Sequence, residues 1–353
     1  MIEILKLILP YIQGLWTLPW ILIGFGVTLV LSQFINKHKI DNTMKTIGLI
    51  LLYCFVPVLL FKIFLNQDFG AQELEFAAVS GVIIFFMYLI AYGFSWFKAE
   101  TRGLTGASRK RFIKTVVTNQ GRSAAFIGGA LLTSPWSVEA AIFIALVGVA
   151  LFAIIPYILS YMHKKEAHRS DESIHALPWY LHLYPWYLIL FVIAAVVLHG
   201  TTGIRVDHLG DPGVVLDFYA ALTIPAALYY VGAGIHPRDF DISEMKKLFS
   251  RTPVTEDITD HWPWVRTIFF LTAVVTPVVI SLVFIPLFIL KVIPPSWFAV
   301  VVINAILPIT STNMFLIPYG IDKKTTAHAV TWTTLVCVPV VVVLIYVFTI
   351  FFP

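Results

Sequence analysis

A chain of 353 residues that is 59% hydrophobic and 12% charged is not an ordinary soluble domain, in which roughly a quarter of the residues carry charge. The net charge of +4 is a small sum, and no nucleic-acid partner is expected from it. The cysteines, Cys54 and Cys337, both fall inside apolar runs, so no disulfide framework or metal-ligand spacing is visible and no metal or cofactor is expected.

Apolar runs of about 20 residues recur along the chain, each long enough to cross a hydrocarbon core about 30 Å thick. Backbone groups in lipid must be satisfied within the segment, so the runs read as helices. Residues 1–15 lack the charged start and small-residue cleavage site of a signal peptide, and read as an interfacial lead-in. Ten spans are predicted, at 15–34, 46–65, 78–97, 113–132, 137–161, 179–198, 215–235, 266–290, 296–318 and 326–351. They form two five-helix halves, 1–162 and 179–353, joined by a cytoplasmic linker at 163–178. A longer cytoplasmic loop, 236–264, lies within the second half. No stretch between spans is long enough for a separate soluble domain.

The basic residues set the orientation, because cytoplasmic loops collect Lys and Arg. With both termini outside, nineteen of the 24 basic residues fall in cytoplasmic loops and four outside: Lys6, Lys62, Arg205 and Lys291. Trp16, Trp96, Trp136, Trp179, Trp262, Trp264 and Trp297 fall near span ends, where tryptophans anchor helices at the membrane interface. A weak internal repeat runs through the halves. Pro57 in the second span and Pro225 in the seventh each lie mid-span in the second helix of a half. The irregular fourth and ninth spans are each fourth in theirs. Five being odd, the second half enters from the opposite side, which gives the inverted repeat common among secondary transporters.

The remaining basic residue, Arg122, lies inside the fourth span, in the run Thr118-Asn119-Gln120-Gly121-Arg122-Ser123. A cation near the bilayer centre costs roughly 2.5–3.5 kcal/mol on insertion scales. Lys114 is eight residues away, so Arg122 is too deep to snorkel and must face protein or a water-filled cavity. It reads either as a contact for an anionic solute or as a structural arginine bonded to carbonyls of a broken helix. The ninth span carries Asn304, Pro308, Thr310, Ser311, Thr312 and Asn313. Proline removes a donor and frees carbonyls in the preceding turn, and the polar side chains satisfy them, bind a solute or join helices. If the two broken helices cross, positive N-terminal half-helix ends and Arg122 together favour a carboxylate. No Asp or Glu is deep in a span; Glu139 and Asp217 lie near outer edges. No Walker or nucleophile-elbow pattern points to an enzyme.

Several segments resemble the auxin efflux carrier family of permeases. They are Ile21-Leu22-Ile23-Gly24-Phe25-Gly26 and Phe55-Val56-Pro57-Val58-Leu59-Leu60-Phe61 in the first two spans, and Asn119-Gln120-Gly121 in the fourth. Ile224-Pro225-Ala226-Ala227-Leu228 with Gly232-Ala233-Gly234 follows, then Leu307-Pro308 and Pro318-Tyr319-Gly320-Ile321-Asp322, and Thr331-Trp332-Thr333-Thr334. The resemblance implies ten helices in two inverted halves, with broken helices four and nine crossing at a central site. That is the fold of the bile-acid/sodium symporter relatives. It also implies transport of organic anions. Two departures stand out: Ala124-Ala125-Phe126 lies where the family usually has a proline, and Arg122 stands where an apolar residue is expected.

The expectation is therefore an all-α membrane protein that moves a small organic anion across the cell membrane by alternating access, as an efflux carrier or uniporter. Arg122, Asn119, Gln120, Gly121, Asn304, Pro308, Thr310, Ser311, Thr312 and Asn313 form its substrate site. Its partners are the anion and the lipid bilayer, with a homodimer or larger membrane complex open. The alternative is a non-transporting scaffold or sensor subunit that retains a transporter fold.

Overall fold

The computed structural model describes residues 2–13, 19–66, 70–122, 136–155, 157–159, 179–233, 261–310, 313, 316 and 320–352. Its α-helices, in chain order, are α1 (Ile2–Gln13), α2 (Pro19–Phe34), α3 (Lys37–Ile50), α4 (Val56–Leu65), α5 (Ala71–Thr101), α6 (Gly106–Thr118) and α7 (Ser137–Val149). They continue with α8 (Trp179–Thr202), α9 (Asp211–Ala233), α10 (Trp262–Phe270), α11 (Thr276–Ile289), α12 (Pro295–Ile306) and α13 (Lys323–Phe351). Among the described residues the regular structure is helical, so the all-α expectation holds. Among the described residues, three stretches are long and apolar enough to cross a membrane: Ala71–Thr101, Trp262–Ile289 and Lys323–Phe351.

Prolines shape these helices in a repeated way. Widened π-helical turns occupy Leu51–Phe55, Ala150–Ile154 and Leu271–Val275. In each case the sequence places a proline two residues past the turn: Pro57, Pro156 and Pro277. A proline inside a helix removes one donor and collides with the carbonyl four residues earlier. A π-turn opens the ladder at that point, so the helix continues with a bend instead of ending. Thus α3 runs through its π-turn into α4, and α10 into α11, as continuous rods.

The chain divides into two compact units. The first comprises Met1–Glu75, Ala125–Ala145 and Leu183–His236. There α9 packs along α2 closely enough that a Cβ on Gly24 would collide with the Tyr229 carbonyl oxygen. The Thr223 hydroxyl donates to the Phe55 carbonyl oxygen at 3.2 Å. Nearby, Lys62 and Asp217 pair at 2.8 Å with both side chains partly exposed.

The second unit comprises Phe76–Ala124, Leu146–His182 and Pro237–Pro353. Ala91, Ala99, Phe112, Val116, Ile268, Leu271, Ile309 and Ala329 make one apolar core. Helix α12 is buried without a break from Trp297 to Ala305, the mark of a helix enclosed on all sides.

Within the fourth and ninth expected spans, both read as irregular, the helices end just before the residues that interrupt the sequence pattern. Helix α6 starts in the basic loop and stops at Thr118, and α12 stops at Ile306. Lys114, placed in a cytoplasmic loop by sequence, is a buried and engaged residue of α6. The tryptophans also divide. Trp96 is exposed as an interfacial anchor should be, whereas Trp136, Trp262 and Trp297 are buried core residues. The linker 163–178, most of the loop 236–264 and the segments 124–126 and 128–129 lie outside the described residues.

Candidate functional site

The site is built where α6 and α12 end. Thr118 is the last residue of α6, and Asn119 caps it with its backbone N–H on the Thr115 carbonyl. On the other side Leu307 (φ −54, ψ 146) caps α12 in an extended conformation, as the residue before a proline prefers. Pro308 then denies α12 the next donor. Past these ends the two backbones meet. Arg122 and Ile309 pair as an antiparallel bridge, and the Thr310 N–H donates to the Gly121 carbonyl oxygen at 3.0 Å. The Ile309 N–H donates to the Thr333 hydroxyl at 3.2 Å, so α13 satisfies extended backbone that no helix serves.

Arg122 is 2% exposed. Its Nη1 donates to the Leu307 carbonyl oxygen at 3.2 Å, and its Nη2 to Gln120 Oε1 at 3.1 Å. The Nε–H has no partner. Among the described residues no carboxylate lies within ion-pair distance of it. Both acceptors are neutral, so the charge is solvated by dipoles only. The helix ends that the described residues bring here are both C-terminal, and each carries a partial negative charge from its last carbonyls. They offset some of the guanidinium charge. The expected N-terminal half-helix ends would fall at 123–135 and 311–312, outside the described residues.

The segments that meet here carry buried side chains with spare hydrogen-bonding capacity. Asn119 Nδ2 donates to the Thr115 carbonyl at 2.8 Å and to the Thr326 hydroxyl at 3.1 Å, while its Oδ1 has no partner. Gln120 Oε1 accepts from Arg122 and from the Thr276 hydroxyl at 3.5 Å, leaving Nε2 without a partner. Asn304 Nδ2 donates to the Val300 carbonyl at 2.6 Å, and its Oδ1 is unpartnered. Asn313 is fully buried, and neither end of its amide has a partner. Buried polar groups are normally paired, so several unpaired ones on neighbouring chain segments single this region out as the candidate site.

Gly121 makes this proximity possible. A Cβ there would stand 2.5 Å from Leu151 Cδ1 and 2.7 Å from Asn313 Oδ1. The sequence-predicted residues Arg122, Asn119, Gln120, Gly121, Pro308, Thr310 and Asn313 thus come together at the bridge. Asn304 lies in the last turn of α12, bonded within its own helix. Ser311 and Thr312 lie outside the described residues. Tyr88 of α5 and Cys337 of α13 stand within electrostatic reach of Arg122. Neither carries a local sequence signal, because each looks like an ordinary apolar-helix residue. Thr276 and Thr333 were missed for the same reason.

Chemically, the site offers donors at Arg122 Nε, Gln120 Nε2 and Asn313 Nδ2, and acceptors at Asn119 Oδ1 and Asn313 Oδ1. It holds one fixed positive charge and lacks a carboxylate general base among the described residues. These groups have the hydrogen-bonding capacity to meet a small anion that carries a further polar group. No protein-family model matches the chain, and no curated protein sequence matches it.

Proposed function

We propose that the chain is a secondary transporter that moves a small organic anion across the cell membrane, with Arg122 holding the anionic group. The observation that carries this reading is a buried guanidinium with no carboxylate partner among the described residues and an unpartnered Nε–H, with partly or wholly unpartnered amides on the same and neighbouring segments. A buried ion costs several kcal/mol unless it is well paired, and a passing anion supplies the missing partner. An inside-negative potential drives anion export by about 2.3 kcal/mol per charge per 100 mV, so efflux requires no coupling ion.

The same reading takes the chain as ten spans in two inverted halves, as the resemblance to auxin efflux carriers implies. Support comes from contacts between segments that occupy equal places in the two halves. The second meets the seventh through Thr223 and Phe55. The third meets the eighth through Phe94 and Phe270, with ring centroids 6.4 Å apart. The fourth meets the ninth through Arg122 and Ile309. Pseudo-symmetric pairs of this kind place a solute site at the repeat interface, and rocking of one part against the other exposes it alternately.

A second reading, a scaffold or sensor subunit that does not transport, is favoured by one observation. Arg122 Nη1 donates to Leu307, a carbonyl in the chain break before Pro308, as a purely structural arginine would. The experiment that separates the two is counterflow of radiolabelled carboxylates in liposomes. The carrier reading expects transport to vanish in Arg122→Ala and to fall at least about tenfold in Arg122→Lys, which lacks the planar fork. Asn313→Leu should also lose transport. Unchanged flux in the alanine variant removes Arg122 from the mechanism. No flux for any carboxylate, together with firm co-purification of another membrane protein, supports the subunit.

A further inference from the structure

Gln120 is the neighbour that decides how much of the Arg122 charge is left for a solute. Helix α6 ends at Thr118, and the chain leaves it through tight turns. There Gln120 N–H donates to the Val117 carbonyl at 3.1 Å and Gly121 N–H to the Thr118 carbonyl at 3.2 Å. Arg122 then pairs with Ile309 as an extended bridge. Two residues apart, the side chains of Gln120 and Arg122 meet, with Nη2 donating to Oε1 at 3.1 Å. Each residue is 2% exposed. A guanidinium has donors and no acceptor, so the end of the amide that faces it is the oxygen. Thr276, the residue after the π-helical turn Leu271–Val275, donates its hydroxyl to the same oxygen at 3.5 Å. The amide is thereby oriented, and its Nε2 has no partner.

An acidic residue would hold a buried arginine more strongly, through a charge-assisted bond at about this distance. Glutamate matches glutamine in length and shape and would put the same oxygen within reach of Nη2. The chain carries the neutral residue instead, and among the described residues no carboxylate stands within ion-pair distance of Arg122. The difference between the two residues is electrostatic, not steric. A neutral amide gives the guanidinium a dipole and leaves the net charge of the pair at plus one. A glutamate would bring that charge to zero and would replace the Nε2 donor with a second acceptor. The Leu307 carbonyl that takes Nη1 is neutral as well. Both bonds fix the fork in place, and neither cancels its charge.

We propose that Gln120 sets the charge selectivity of the site. It positions Arg122 through a neutral acceptor, so that the site takes anions over uncharged solutes of the same shape. This rests on the reading of Arg122 as the anion contact. Its consequence is that Gln120→Glu closes the site to anions while keeping its shape.

The test is thermal unfolding of the full chain in detergent micelles, followed by tryptophan fluorescence. The probes are benzoate, lactate and succinate, each with its uncharged amide: benzamide, lactamide and succinamide. A ligand that binds only the folded protein raises the midpoint. At least one carboxylate should raise the wild-type midpoint, and its amide should raise it less. In Gln120→Glu the concentration of that carboxylate needed for the same rise should increase at least about tenfold, because a like charge now stands beside the guanidinium. Gln120→Met is of similar length, leaves the arginine charge intact and should retain more of the response than Gln120→Glu. A role of shape alone predicts the opposite order, since glutamate is the closer match. Without ligand, Gln120→Glu should unfold at a higher temperature than Gln120→Met, by roughly a few degrees, because it gives the buried cation an opposite charge. Three results overturn the proposal and leave Arg122 as an anion contact: a wild-type response that Gln120→Glu keeps undiminished, one that Gln120→Met loses as fully as Gln120→Glu, or a glutamate variant that melts below the methionine variant. Silence of the wild type toward all three carboxylates removes the anion contact itself, and this proposal with it.

Discussion

Replacing Arg122 by methionine separates an arginine kept for a solute from one kept for the fold. Methionine fills much of the same volume and carries no charge. Two hydrogen bonds are lost, to the Leu307 carbonyl and to Gln120 Oε1, each worth about 1.5–3 kcal/mol because the donor is charged. Against that loss of roughly 3–6 kcal/mol stands the removal of a buried charge, whose desolvation costs several kcal/mol. Gln120 retains its contact with the Thr276 hydroxyl, which limits the damage. The two sides nearly cancel, so the ligand-free midpoint should move by no more than about 1–2 kcal/mol equivalent, a few degrees in an unfolding scan. What should disappear is any rise in that midpoint on adding the transported anion, since the group that gains most from it is gone. If instead methionine drops the midpoint by ten degrees or more while the wild-type protein responds to no anion, Arg122 is a clamp for the broken helices and the carrier argument fails.

Gly121→Ala tests how closely the two chain breaks approach. Its Cβ would meet Leu151 Cδ1 at 2.5 Å and Asn313 Oδ1 at 2.7 Å, an overpacking worth about 1–3 kcal/mol. Leu151→Ala should return part of that loss in a double-mutant cycle, whereas purely additive losses would mean the contact is not the cause. At the start of α13, Asp322 has two roles that substitution can separate. Its Oδ1 accepts from the Thr325 N–H at 2.8 Å and its Oδ2 pairs with Arg111 at 2.8 Å. Asp322→Asn keeps the cap and should cost under about 1 kcal/mol, because the Arg111 side chain is half exposed. Asp322→Ala should cost about 1 kcal/mol more through loss of the cap, and equal midpoints for the two variants would refute the capping role.

Arg122 was legible because charge in an apolar run is a composition signal that needs no three-dimensional knowledge. Pro308 and the neighbouring polar run were legible for a similar reason, since proline breaks a helix locally. The breaks were legible too: Asn119-Gln120-Gly121 and Pro308 interrupt their spans, and α6 and α12 end at Thr118 and Ile306, just before them. Not legible was the antiparallel bridge through which Arg122 and Ile309 then pair. The aromatic belt failed at Trp136, Trp262 and Trp297 because a tryptophan near a span end can turn either toward lipid or into the fold, and sequence spacing does not record which. Lys114 was misplaced because a basic cluster looks like a loop even when the helix has already begun. The partners supplied from elsewhere, Thr276, Thr333, Tyr88 and Cys337, are joined to Arg122 only by tertiary structure.

If the proposed spans hold, the bridge between Arg122 and Ile309 also explains how extended backbone is tolerated within the membrane. Within a membrane, non-helical backbone survives only where protein or enclosed water satisfies it. Here Gly121 O takes the Thr310 N–H, Thr333 takes the Ile309 N–H, and Arg122 itself takes the Leu307 carbonyl. The backbone is therefore nearly settled by the protein, while the side-chain amides of Asn119, Gln120, Asn304 and Asn313 are not. A purely structural crossing would be expected to spend its side chains on the exposed backbone and leave none over. The surplus sits on the side chains, the groups able to reorient toward a solute without unravelling the crossing. If Asn313, whose amide has no partner at either end, were replaced by leucine, the fold should become more stable, by about 1–3 kcal/mol for each unpaired group removed, while the site should lose its solute.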